Sequence, residues 1–245
     1  MNILHALILS SFAGFATCLG AILVFLTKSS INNSFITFCL TLSITILIGI
    51  SLFDLLPEGF LKLRSYYEIS YIILTILFCF TLSFIVMKII NQKLEHIDDS
   101  LYKVGLISMI ILILHNLPEG LITFLSTIYN QKLGIRLSVA IALHNIPEGI
   151  TIAMPIYYAT GSRGKAFKLA FLSGLSEPLG GIISYVLLKN IINDKILGVI
   201  LILVAFLMIN LAIEEIFPKI DKSYKKSILK GFIIGTIIIL LNAVL

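Results

Sequence analysis

The sequence is divided into eight long apolar runs, and this division limits the folds that the chain can adopt. The runs cover residues 3–27, 35–57, 69–90, 104–127, 134–158, 165–188, 196–217 and 228–245. A helix needs about 20 mainly apolar residues to cross a bilayer. The runs are too long and too rich in Ile and Leu for barrel strands, which alternate over about ten residues. The sequence therefore predicts an all-α, polytopic membrane protein with eight transmembrane helices, in one domain over residues 1–245.

The charge content agrees with this prediction. Charged residues make up 13 % of the chain, against about 25 % in a soluble domain. The net charge of +5 would suit a polyanionic partner, but the basic residues lie in short clusters between the apolar runs, as is typical of charge that flanks a membrane. The composition thus excludes an ordinary cytosolic enzyme and a nucleic-acid module, and it makes the lipid bilayer the expected partner.

The distribution of Lys and Arg predicts the orientation. Twelve lie in or beside the loops that follow runs one, three, five and seven, and six lie in or beside the loops that follow runs two, four and six. Positive charge is retained in the cytoplasm. Because the number of spans is even, we expect both termini on the extracytoplasmic side.

A repeated motif lies in the middle of runs four and five. Each run contains the hexapeptide H-N-x-P-E-G, at 115–120 and at 144–149, and run six contains S-G-L-S-E-P-L-G-G at 173–181. Charged groups at the bilayer centre are costly and usually face a bundle interior or a water-filled path. A single His in such a helix is more often a hydrogen-bonded structural residue, but two copies 29 positions apart make that explanation a poor one.

The spacing inside the hexapeptide places the Glu between two neighbouring ligand positions. At about 100° per residue, Glu119 is displaced by about 40° from His115 around the helix, and Asn116 by about 100°. One carboxylate can therefore bridge a site that uses the imidazole and a site that uses the amide oxygen. The second copy, at 144–149, repeats the arrangement.

The ligand types indicate the kind of metal. Imidazole, carboxylate and amide oxygen without thiolate suit Zn²⁺, Fe²⁺, Mn²⁺, Co²⁺ or Cd²⁺ better than Cu⁺, and we expect no organic cofactor. When ionised, Glu119, Glu148 and Glu177 carry −3; one divalent ion leaves −1 and two leave +1. We therefore expect metal ions and protons to compete for this site.

Other carboxylates lie near the ends of two runs. Asp54 and Glu58 lie in D-L-L-P-E-G at the predicted outer end of run two, and Glu214 and Glu215 lie near the predicted inner end of run seven. They could act as gates that attract cations at the two mouths, but carboxylates at helix ends also cost little at a membrane interface. In run eight, the G-F-I-I-G segment at 231–235 predicts close helix packing, either within the chain or in a homodimer.

The two hexapeptides and the 173–181 segment resemble the ZIP (Zrt/Irt-like) family of divalent-metal transporters, and the length, the eight spans and the outward termini also fit. The resemblance implies metal uptake toward the cytoplasm through a two-metal centre, in a bacterial plasma membrane. It also implies that spans one, four, five and six move as a unit against the others. The implied first site, associated with Zn²⁺, is His115, Glu119, His144 and Glu148, and the implied second site is Asn116, Glu119, Asn145, Glu148 and Glu177.

An intramembrane zinc-dependent hydrolase is the alternative function. A His/Glu zinc centre with an open coordination position would activate water. However, the H-E-x-x-H pattern of such enzymes is absent, and in both hexapeptides the Glu follows the His by four positions, as a ligand would. The sequence therefore favours a transporter over an enzyme. It also lacks the P-loop pattern G-x-x-x-x-G-K-[ST], so that ATP is not expected to drive it directly.

Overall fold

The computed structural model describes residues 2–26, 33–188 and 193–244, and its regular structure there is entirely helical. The all-α prediction is therefore confirmed for these residues. The described chain forms eight long helices: α1 (Asn2–Leu26), α2 (Asn33–Arg64), α3 (Ile69–Lys93), α4 (Ser100–Tyr129), α5 (Gln131–Thr160), α6 (Arg163–Ile183, continued by the π-helical turn Ser184–Leu188), α7 (Asp194–Lys219) and α8 (Lys225–Val244).

Seven of these helices, α1 to α7, are long and apolar enough to cross a membrane. The eighth, α8, lies where the last run was predicted. The prediction of a polytopic membrane protein is thus confirmed, while the outward orientation of the termini stays a prediction. Two of the charges on which the orientation depends, Lys28 and Lys189, lie outside the described residues.

Polar side chains fix where four of the helices begin. The first residues of α4, α5, α6 and α7 are capped by Asp99, Asn130, Ser162 and Asn193, whose side-chain oxygens accept hydrogen bonds from backbone N–H groups of the first turn. Such caps satisfy donors that the helix itself leaves unpaired. Asn130 is also the only residue between α4 and α5, so the two hexapeptide helices are joined directly and run antiparallel.

Two helices contain π-helical turns next to a proline. In α2 the turn Ser51–Leu55 precedes Pro57, and in α7 the turn Leu211–Ile216 precedes Pro218. A proline removes a backbone donor and clashes with the preceding turn; in these two helices that preceding turn is π-helical, which is wider than an α-helical turn. The helix α2 therefore continues to Arg64, so the predicted end of this run at residue 57 was wrong.

The helices form two groups. The first group is α1, α4, α5 and α6, which pack against one another; in the second, α2 packs on α7 and α8, and α3 packs on α7. The groups meet where α2 contacts α5 and where α4 contacts α7. One link between them is a 2.7 Å hydrogen bond from the Thr151 hydroxyl on α5 to the Ser43 hydroxyl on α2. All three polar segments of the sequence lie in the first group.

The glycines of α8 contact α2. A Cβ at Gly231 would lie 2.7 Å from the carbonyl oxygen of Phe38, and one at Gly235 would lie 2.8 Å from the Cβ of Thr45. These glycines therefore serve packing within the chain, and the expectation of a homodimer stays a prediction.

Candidate metal centre

The seven predicted ligands lie on three helices of the first group, and all are buried, with at most 6 % of any residue exposed. The two hexapeptides lie in the middle of α4 and α5, and both helices continue unbroken through the motif prolines. The ligands are His115, Asn116 and Glu119 on α4, His144, Asn145 and Glu148 on α5, and Glu177 on α6.

Two histidines and two glutamates form a compact cluster between α4 and α5. Glu119 Oε1 lies 2.9 Å from His144 Nε2 and 3.2 Å from His115 Nε2, and Glu148 Oε1 lies 3.3 Å from His115 Nε2. One ligand atom from each of His115, His144 and Glu148 lies within 4.8 Å of the others. These distances between ligand atoms are close to those expected when the atoms bind one ion, each at about 2.1 Å from it.

The two asparagines and Glu177 lie beside this cluster. Asn145 donates from Nδ2 to Glu177 Oε2 and to the carbonyl oxygen of Ala13 on α1, at 2.9 Å each. Asn116 donates from Nδ2 to the carbonyl oxygen of Ser173 on α6, at 3.2 Å. Because each amide nitrogen is engaged, each amide oxygen is available as a ligand.

Several ligand atoms of the cluster have no hydrogen-bond partner among the described residues. An unpaired polar atom in such a buried position costs about 1–3 kcal/mol, and a cation would offset this cost for several atoms at once. The atoms are Asn116 Oδ1, Glu119 Oε2, Asn145 Oδ1, Glu148 Oε2 and Glu177 Oε1.

Glycines at the ends of the hexapeptides let the helix backbones touch around the cluster. A Cβ at Gly120 would overlap the carbonyl oxygen of Glu177 on α6, and a Cβ at Gly149 would overlap the carbonyl oxygen of Thr17 on α1. The helix α1, which carries none of the predicted ligands, is therefore part of the wall of the cluster.

Sequence reasoning missed the backbone groups that orient the asparagines. The carbonyl oxygens of Ala13 and Ser173 accept from Asn145 and Asn116. A carbonyl oxygen occurs in every residue, so no residue type in the sequence marks these two positions.

The four carboxylates predicted as gates are not part of the cluster. Asp54 is half-buried within the π-helical turn of α2, and Glu58 is exposed and lies 3.6 Å from Lys62 Nζ. Both Glu214 and Glu215 lie within the π-helical turn of α7, where Glu214 is exposed and Glu215 Oε1 accepts a 2.6 Å hydrogen bond from Asn91 on α3.

Comparison with known proteins gives matches over most of the chain. A family model described as "ZIP Zinc transporter" matches residues 95–243. A relative named "Zinc transporter ZupT" from Oceanobacillus iheyensis is 39 % identical over 241 residues, which cover 90 % of each chain. Relatives of the same name from Streptococcus mutans and Clostridium perfringens are 36 % and 32 % identical; each match covers 100 % of this chain and 98 % and 96 % of the relative.

Proposed function

The chain belongs to the ZIP family of zinc transporters, and from this premise we propose that it imports divalent metal ions into the cytoplasm through the buried cluster of α4, α5 and α6. As a member of this family it is a multi-pass membrane transporter and not an enzyme. The alternative of an intramembrane hydrolase therefore has no support. The observation that carries the proposal is the contact of one carboxylate oxygen, Glu119 Oε1, with an imidazole from each of two helices.

The proposed centre holds two ions that share the glutamates of the hexapeptides. The first ion takes two imidazoles and two carboxylates, a set that suits Zn²⁺. The second takes amide and carboxylate oxygens, which suit harder ions such as Mn²⁺ and Fe²⁺. The first set is His115, Glu119, His144 and Glu148, and the second is Asn116, Glu119, Asn145, Glu148 and Glu177.

The burial of the cluster supports a mechanism in which helix groups move. Because no ligand residue exposes more than 6 % of its surface, an ion reaches the cluster only when neighbouring helices separate. The ligands all belong to the group α1, α4, α5 and α6, and we propose that this group moves as a unit against α2, α3, α7 and α8. The carboxylates Asp54, Glu58, Glu214 and Glu215 would attract cations at the two ends of the path.

The membrane potential favours inward transport. In the plasma membrane of a bacterium, a divalent ion that moves inward gains about 4.6 kcal/mol from an inside-negative potential of about 100 mV. We also propose that both termini lie outside. A reporter fused after Leu245 should therefore be active only outside the cytoplasm, and a cytoplasmic signal would refute the orientation.

Metal uptake into proteoliposomes tests the site. The variant Glu119→Gln removes one charge from the cluster while keeping the shape of the side chain, and we expect it to lose at least about 90 % of the Zn²⁺ uptake, since both imidazoles lose their shared anion. The matched control is Glu95→Gln, because Glu95 is an exposed Glu outside the helices. Uptake by Glu119→Gln equal to that of the control would refute the assignment.

A further inference from the structure

Two pairs of helices around the metal centre make the same contacts. On α4, Asn116 donates to the Ser173 carbonyl of α6; on α5, Asn145 donates to the Ala13 carbonyl of α1. The carbonyl oxygens of Ser173 and Ala13 thus accept the same hydrogen bond from the two copies of the hexapeptide. Position 173 on α6 therefore corresponds to position 13 on α1, an offset of 160 residues.

The same offset of 160 relates the glycine contacts. A Cβ at Gly120 would overlap the Glu177 carbonyl oxygen, and a Cβ at the equivalent Gly149 would overlap the Thr17 carbonyl oxygen. In the reverse direction, a Cβ at Gly180 on α6 would overlap the Leu117 carbonyl oxygen. Its counterpart is a Cβ at Gly20 on α1, which would overlap the carbonyl oxygen of Ile146, the residue equivalent to Leu117 in the second hexapeptide.

The two helices α1 and α6 also meet each other symmetrically. A Cβ at Gly14 would overlap the Gly174 carbonyl oxygen, and a Cβ at Gly174 would overlap the Gly14 carbonyl oxygen. The sequences agree with this relation, since F-A-G-F-A-T-C-L-G at 12–20 and L-S-G-L-S-E-P-L-G at 172–180 share both glycines and the Leu before the second. An approximate two-fold axis therefore exchanges α4 with α5 and α1 with α6. Under this symmetry, Thr17 on α1 corresponds to Glu177 on α6.

The hydroxyl of Thr17 has the properties of a ligand at this position. Most buried Ser and Thr hydroxyls in this protein donate to a carbonyl of the preceding turn, as those of Thr41, Ser43 and Thr127 do. Thr17 is fully buried, and its Oγ1 has no hydrogen-bond partner in the described part of the chain. The buried hydroxyls of Ser108, Thr123 and Ser173 also have none there, but of the four only Thr17 lies at the position related to Glu177. The oxygen of Asn116, which the symmetry relates to that of Asn145, also has none.

We propose that Thr17 is a metal ligand from α1, whose hydroxyl oxygen completes the second ion position opposite Glu177. The inference rests on the proposed function, because it adds a fourth helix to that same centre. The position then has ligands related in pairs: two amide oxygens, the two shared glutamates, and the hydroxyl of Thr17 facing the carboxylate of Glu177. All of these are oxygen atoms, the ligands that Mn²⁺ prefers to a greater degree than Zn²⁺.

Binding of Mn²⁺ and Zn²⁺ to the purified full chain tests this proposal. The variant Thr17→Val replaces the hydroxyl by a methyl group at nearly constant volume. We expect it to weaken Mn²⁺ binding about tenfold, because the ion loses one of its oxygen ligands. The Zn²⁺ affinity of the first ion position should stay within about twofold of the parent. The control Thr41→Val makes the same change at a buried hydroxyl that donates within its own helix, and it should bind both ions like the parent.

A second comparison keeps the test independent of folding. Thr17→Ser and Thr17→Ala both lose the methyl group and differ only in the hydroxyl, so we expect the Ser variant to retain Mn²⁺ affinity and the Ala variant to lose it. Equal Mn²⁺ affinity of the two, or parent-like affinity of Thr17→Val, would overturn the assignment of Thr17. If Glu119→Gln is impaired at the same time, only this assignment fails; if Glu119→Gln also binds and transports like the parent, the proposed function fails with it.

Discussion

Gly120 packs against the backbone of α6, so a larger residue at this position should force α4 and α6 apart. In the variant Gly120→Ala, the added Cβ would overlap the carbonyl oxygen of Glu177 and lie 2.6 Å from its carbonyl carbon and 2.9 Å from its Cα. Carbon atoms in contact are about 3.5–4.0 Å apart. The obstructing atoms belong to backbone, so no side chain can turn aside, and α4 and α6 must separate by on the order of 1 Å.

This separation acts directly on the proposed centre, because Gly120 follows Glu119 and the obstructing carbonyl belongs to Glu177. Metal sites tolerate deviations of only about 0.2 Å in ligand distance. We therefore expect Gly120→Ala to weaken Zn²⁺ binding by about 10–100-fold and to destabilise the fold by about 1–3 kcal/mol. The measurements are competition with a zinc-chelating dye and thermal unfolding, both on the purified chain in detergent.

The matched control is Gly164→Ala, at the start of α6. A Cβ at Gly164 would meet no atom within 4 Å, so the stability should stay equal or rise by up to about 1 kcal/mol, with unchanged Zn²⁺ affinity. A Zn²⁺ affinity of Gly120→Ala within about twofold of this control would refute the reasoning, because the close contact of α4 and α6 would then not hold the ligands in place.

Three further predictions concern charge, protons and packing. Glu177→Gln removes a carboxylate that we assign to the second ion position alone, so the bound Zn²⁺ or Mn²⁺ per chain should fall from two to one by elemental analysis; two retained ions would contradict the two-site assignment. If protons and metal ions compete for the buried glutamates, as we expect, the apparent affinity in Zn²⁺ uptake should be weaker at about pH 5.5 than at about pH 7.5, and an affinity that does not change with pH would contradict this. Asn210 on α7 donates a 2.8 Å hydrogen bond to Ser83 on α3, in the second helix group; Asn210→Ala should lower the stability by about 1–3 kcal/mol in thermal unfolding without a change in Zn²⁺ affinity, and a loss of affinity at unchanged stability would show that this contact acts on the centre.

The helices and the positions of the predicted ligands could be read from local patterns. Apolar length fixes where a membrane helix can form, and the caps Asp99, Asn130, Ser162 and Asn193 mark where four of them begin. The spacing H-x-x-x-E puts both side chains on one helix face whatever the rest of the fold is. These features depend on neighbours in sequence, so a single sequence contains them.

Features that depend on distant residues were not predictable in this way. The end of α2 was placed too early, because the residues beyond 57 include Lys62 and Arg64 and no longer look like a membrane span, although the helix continues past its π turn. The partner of Glu215 is Asn91, which lies 124 positions away. The contacts of α1 with the cluster were missed for the same reason, since Ala13 acts through its backbone and Thr17, which we propose as a ligand, is an ordinary residue type in an apolar run.

The net charge of the proposed centre gives a physical reason for an acid at Glu177 and a hydroxyl at the related position of Thr17. With ionised Glu119, Glu148 and Glu177, two bound divalent ions leave a net charge of +1 on the cluster. A carboxylate at position 17 would neutralise this charge and hold both ions more firmly in a medium of low dielectric constant. A transport site has to release what it binds, so its affinity must be limited. As a ligand, the neutral hydroxyl of Thr17 would offer the second ion an oxygen atom without a fourth negative charge, and the remaining repulsion between two ions of like charge would favour the release of one of them.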